Sequence, residues 1–106
     1  MVKIVLADGQ IHELRFGANG LCALEAKFGK PIGEIGKDLE KAGRRNSIQL
    51  SDIRAWLWAA LLHENPSMTV EEAGDLIDLS KFRSLAEALF AAVSEAAAQV
   101  IRGSVN

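Results

Sequence analysis

The sequence predicts an α+β domain that is predominantly α, with an N-terminal β-hairpin followed by a compact bundle of four to five helices. Three observations carry this. The apolar residues recur every second position up to Phe16 and about every 3.6 positions afterwards. Recognisable helix starts and stops punctuate the second part. The segments between them are short, so the 106 residues form a single domain, 1–106, long enough to bury one core without a disulfide or a metal.

The hairpin spans about residues 2–16. Val2, Ile4 and Leu6 alternate with Lys3 and Val5; His12, Leu14 and Phe16 alternate with Glu13 and Arg15; Asp8-Gly9 lies between. A three-residue loop of Asp8, Gly9 and Gln10 would pair Ile4 with Leu14 and Val2 with Phe16. That register is expected because it sets one apolar face against a core, whereas a tight Asp8-Gly9 turn pairs Ile4 with Glu13. A lone hairpin is marginal in water, so this one must rest on the helices or extend its sheet through another chain.

The first helix is expected at about 19–28, capped by Asn19, carrying Leu21, Leu24 and Phe28 on one stripe and ended by Gly29. The second, about 31–42, opens at Pro31, turns Ile32, Ile35 and Leu39 inward and closes at Gly43. Gly33 and Gly36 weaken it, and the stretch from Gly43 to Asn46 reads as a surface loop. The third, about 51–64, is capped by Ser51 and directs Ile53, Trp56, Leu57, Ala60 and Leu61 inward until Asn65-Pro66 stops it. Thr69 with Glu72 forms a capping box opening a fourth helix, about 69–78, which buries Val70, Ala73 and Ile77. The last and longest, about 80–102, is capped by Ser80. It keeps Phe82, Leu85, Ala86, Leu89, Val93, Ala97 and Val100 on its inner face and Ala88, Ala91, Ala92 and Ala98 on its outer one.

The composition narrows the function classes. An apolar fraction of 49% and a charged fraction of 25% are those of ordinary globular chains. A net charge of -2 gives no general attraction to nucleic acid or anionic lipid. The longest apolar run, at 55–62, is far shorter than the roughly 18 to 20 residues of a membrane span, and no secretion signal opens the chain. With Cys22 as the single cysteine, a cytoplasmic setting is the default.

Little in the sequence points to catalysis or a cofactor. His12, His63 and Cys22 have no metal-ligand spacing, nothing local activates the thiol, and Cys22 is expected to be a half-buried packing residue. The run from Gly29 to Lys37 departs from a phosphate-binding loop at Pro31 and Asp38, where glycine and a hydroxyl are required; its glycines read as helix punctuation. Lys41, Arg44 and Arg45 lack aromatic stacking partners and lie near Glu34, Asp38 and Glu40. Residues 69–90, from Thr69 to Phe90, resemble a helix-turn-helix in outline. Their second helix offers only Lys81 and Arg83 near its start, behind Glu71, Glu72, Asp75 and Asp78.

The third helix is apolar on two sides, because Trp58 and Leu62 fall outside the stripe of Ile53 and Leu57. Either the helix runs through the middle of the domain, or Trp58 and Leu62 belong to an interaction patch. Glu71, Glu72, Asp75 and Asp78 are an ordinary solvated face or a surface that steers a basic partner.

In order along the chain, a hairpin around Asp8-Gly9, the run GLCALEAKFG at 20–29, DIRAWLWAAL at 52–61 and TVEEAGDLID at 69–78 resemble the tail assembly chaperones of siphophage-type tails and gene transfer agents. The resemblance covers most of the chain and rests more on order and spacing than on any one motif. It implies a non-enzymatic protein without a cofactor, acting in the cytoplasm of a bacterial host and not retained in the mature particle. Such proteins hold the long helical tape measure protein and help bring tail tube subunits to it, and they often have a longer, frameshifted product. A tail tube role is the other label used for similar gene-transfer-agent proteins, but a tube subunit usually needs a larger sheet than one hairpin. Trp58 and Leu62 would then be client-facing anchors with Glu71, Glu72 and Asp75 as a selective rim, and a homo-oligomer through the hairpin edge is a further expectation.

Overall fold

The computed structural model describes residues 1–104, with side-chain environments through Val100. Two antiparallel strands, β1 (Val2–Val5) and β2 (Ile11–Leu14), precede α1 (Ala18–Phe28), α2 (Ile32–Arg44), α3 (Leu50–Leu61), α4 (Val70–Asp75), a 3-10 turn (Leu79–Lys81) and α5 (Phe82–Ser104). This is the predicted hairpin and helical bundle.

The hairpin register differs from the expected one. Val2 lies opposite Leu14 and Ile4 opposite His12, so the three-residue loop is Ala7, Asp8 and Gly9. The turn decides this. A loop of this kind ends in a left-handed residue, which Gly9 supplies with φ +77 while its N–H donates to Leu6 O at 2.9 Å. Gln10, placed last in the expected loop, would carry a Cβ into that conformation. The slip is two residues, so the pleat is unchanged and Leu6, Leu14 and Phe16 are still buried.

Helix α3 is the hub. Ile53, Ala55, Trp56, Leu57, Ala59, Ala60 and Leu61 are all buried, about two thirds of the way round the helix, while Arg54 and Trp58 on the remaining side are half-buried. The neighbours responsible are β2, α1, α4 and α5. The Phe16 and Trp56 rings pack edge to face, with centroids 5.5 Å apart and planes at 84°. Gly20 permits the α1 crossing: a Cβ there would lie 2.7 Å from Ala59 O.

Several helix boundaries are set by other residues than the sequence suggests. Extended Gly17 starts α1, leaving Asn19 in its first turn rather than at the cap. Gly29, left-handed, ends α1 as expected, and the Glu25 carboxylate then accepts the Ile32 N–H at 2.8 Å, holding the start of α2. Gly43 lies inside α2, where the Phe90 ring packs on it, 3.0 Å from where a Cβ would be; the chain exits through left-handed Asn46 instead. The run 29–37 is accordingly a helix end followed by the first turns of α2, with Gly33 and Gly36 inside the helix. Gln49, not Ser51, precedes α3, which ends at Leu61.

The Thr69–Glu72 capping box is present in both halves, although α4 stops at Asp75. Asp78 rather than Ser80 caps the next turn, its Oδ1 accepting from Ser80 N–H at 3.0 Å and Ser80 Oγ–H at 2.7 Å. Helix α5 buries Leu85, Ala86, Leu89, Ala92 and Ala96; Ala92, expected outside, faces the core, while Ala97 and Val100 are exposed. The inner stripe of α5 thus follows Leu89, Ala92 and Ala96. Cys22, expected half-buried, is exposed on α1. Among the described residues no helix is long and apolar enough to cross a membrane.

Candidate functional site

The second apolar side of α3 is explained by what lies on it. Leu50, Arg54 and Trp58 recur at four-residue spacing and form one stripe along the helix. Helix α4 and the segment leading into it pack on that stripe. The Trp58 indole N–H donates to Met68 O at 2.7 Å, and the Arg54 stem runs across Gly74, where a Cβ would lie 2.9 Å from Arg54 Cδ. Trp58 is therefore half-buried and tied to the α4 entry.

Where α4 ends, the stripe opens to solvent. Leu50, Ser51, Arg54, Glu71, Gly74, Asp75, Ile77 and Leu79 line a shallow depression. Leu50 is 46% exposed and Leu79 69% exposed on its lips. Arg54 Nε, buried beneath, is the one buried side-chain polar atom among the described residues with no hydrogen-bond partner. Glu71 and Asp75 stand on the wall formed by α4, one helical turn apart. Large exposed apolar side chains beside a one-sign charged wall are the features of a protein-docking surface.

The five residues singled out in the sequence are thus divided. Glu71 and Asp75 share the depression. Glu72 is occupied at the helix start, its Oε1 accepting the Thr69 N–H at 2.9 Å. Trp58 supports the wall through Met68. Leu62 lies in a separate hollow with Ala18, Asn19, His63 and Pro66. Leu50, Arg54 and Leu79 were missed, although each had a signal: Leu50 and Leu79 are isolated apolar residues just outside predicted caps, and Arg54 is the one charge on its stripe.

A second polar cluster joins the hairpin to the end of α3. His12 Nε2 lies 2.9 Å from Asp8 Oδ2 and His12 Nδ1 lies 3.1 Å from Glu64 Oε2. Glu64 Oε1 accepts the Glu13 N–H at 3.0 Å, and His63 Nε2 donates to Glu13 O at 2.8 Å. Partial burial opposes a charge on His12, but hydrogen bonds from its ring to the Asp8 and Glu64 carboxylates, with their charges, raise its pKa above the ordinary value. Asp8 is lowered, first by the Gln10 N–H and then by His12. With a carboxylate on each ring nitrogen, this imidazole acts as a clamp between two segments.

Among the basic residues near the end of α2, Arg44 pairs with Glu40 one turn earlier; at the other end of the helix, Lys30, just before α2, pairs with Asp38 at 2.8 Å. No group of three or more His, Cys, Asp or Glu side chains converges on a metal-sized site among the described residues. No family model, curated protein or solved structure matches the chain.

Proposed function

We propose that this chain is a non-enzymatic tail assembly chaperone that binds the tape measure protein and helps recruit tail tube subunits during phage-type tail morphogenesis. The observation that carries the reading is the depression between α3 and α4, where Leu50, Ile77 and Leu79 lie beside Glu71 and Asp75. An amphipathic helix is its natural client: apolar residues one turn apart meet the leucines, and lysine or arginine on the flank meets the carboxylates. The segments that carry the family resemblance support this, because 20–29, 52–61 and 69–78 supply α1, α3 and α4, the helices that meet at the hub. In this reading Trp58 backs the site, Leu62 lies outside it, and Glu72 shapes α4.

Co-expression with neighbouring tail genes, followed by tagged capture and mass spectrometry, tests the proposal. Recovery of the tape measure or tube protein is the expected result. Leu79→Ala together with Asp75→Lys should weaken capture at least about tenfold and leave the melting temperature unchanged, since both side chains are exposed. A salt-sensitive shift of duplex DNA by the same preparation, with no protein partner, would instead establish a helix-turn-helix regulator.

A further inference from the structure

The two edges of the hairpin are treated differently by the rest of the chain. In an antiparallel pair, alternate residues turn both main-chain groups toward the partner strand and the intervening residues turn theirs outward. Leu6 N–H bonds to Gln10 O at 3.1 Å, and Ile4 faces His12, so the outward residues are Lys3, Val5 and Ala7 on one edge and Ile11, Glu13 and Arg15 on the other. The β2 edge is closed at Glu13 and Arg15 by the end of α3 and the residues just after it: Glu64 and His63 hold Glu13, and Arg15 N–H donates to Ala60 O at 3.1 Å. On the β1 edge, Ala7 N–H is held by Leu76 O at 2.9 Å, while the main-chain groups of Lys3 and Val5 meet no partner among the described residues.

Nothing in β1 blocks this edge. The strand has no proline or bulge, and Lys3 is its only charge. Beside it, Val5 and Ile11 lie opposite each other on the outer face, 46% and 70% exposed.

We infer that the open edge of β1 is a self-association site, where two copies of this chain pair β1 with β1, antiparallel about a two-fold axis at Ile4, into a four-stranded sheet. Lys3 then faces Val5 of the second copy, and each of the two such pairs exchanges two hydrogen bonds, using the open main-chain groups of both Lys3 and Val5. Neighbouring registers fail on specific grounds. A one-residue shift sets outward groups against inward ones. An axis at Lys3 places two lysines opposite each other. An axis at Val5 needs the Ala7 N–H, which Leu76 already holds. With the axis at Ile4, each Lys3 keeps its own Glu13 on one side and lays its aliphatic stem against Val5 of the other copy. This self-complementarity selects a second copy over a foreign strand. The edge is short, so the dimer is weak and forms only at high concentration.

The test uses the intact chain carrying Cys22→Ser, with Lys3→Cys or Val5→Cys added. In this register Lys3 and Val5 of two copies have Cα atoms about 5.5 Å apart, within disulfide reach. Mixing the two variants should yield a mixed disulfide well in excess of what either forms alone. Sedimentation from micromolar to millimolar concentration should show a monomer–dimer equilibrium that Val5→Pro weakens at least about tenfold, since proline there removes an outward N–H and leaves the β1–β2 ladder intact. Val5→Lys, which cannot unfold the strand by restricting φ, should act the same way. A wild-type chain that stays monomeric throughout, a dimer that survives both substitutions, or a Lys3→Cys chain that cross-links with itself as readily as the mixture does would each overturn the inference.

Discussion

His12 illustrates how a single side chain can make a β-hairpin pH-dependent. Its folded pKa is raised, so its contribution to stability is complete below its ordinary value of 6.5 and is lost as pH rises through the raised value. The Asp8 pKa is lowered, so its contribution is complete above the ordinary 3.8 and is lost as pH falls through the lowered value. The clamp is therefore at full strength between those two ordinary values. Urea unfolding at about pH 6 and about pH 8 should show a lower midpoint at the higher pH, and His12→Gln should reduce that difference; an unchanged difference in the variant would assign the pH dependence to other groups. Gly20 is constrained by space. Gly20→Ala would drive a Cβ to 2.7 Å from Ala59 O and should destabilise the fold by about 1–3 kcal/mol, read from the denaturation midpoint, because the atom it meets is backbone and cannot rotate away.

At the scale of elements, α4 is six residues long and depends on its first turn. Thr69→Ala removes the side-chain acceptor of the Glu72 N–H and should cost about 1 kcal/mol, while Thr69→Ser should restore most of it; equal unfolding midpoints for all three chains would contradict a stabilising role for the box. This element was legible in advance because a capping box is a local signal with both halves present in sequence. Other boundaries were not. Gly43 looks like a helix stop until Phe90, far along the chain, is seen resting on it, and Ser51 looks like a cap although Gln49 holds the position before α3. The hairpin register was read two residues out because apolar matching cannot distinguish registers of the same parity, whereas the left-handed backbone at Gly9 can. The candidate site was half legible. The acidic residues of α4 stood out as charge, but Leu50 and Leu79 join them only through the packing of α4 on α3.

For the molecule as a whole, the burial of most of the α3 surface sets the order of local stability. Amide exchange should be slowest in Ile53–Leu61 and faster in α2, whose outer face is solvated, with opening energies near the global value only for the hub; comparable protection in α2 and α3 would contradict that ranking. The contacts that close the β2 edge have a consequence for synthesis. They join residues 12–15 to residues 60–64, so the hairpin leaves the ribosome well before the residues that hold it. A nascent chain ending before Ala60 carries both strand edges bare and lacks the hub against which the strands fold. Such truncated chains should pellet when released, and extension through α4 and α5, which complete the burial of α3 and of the hairpin, should restore them to the supernatant. Translation speed through α3 and the helices after it thus sets how long the hairpin is exposed to other nascent chains.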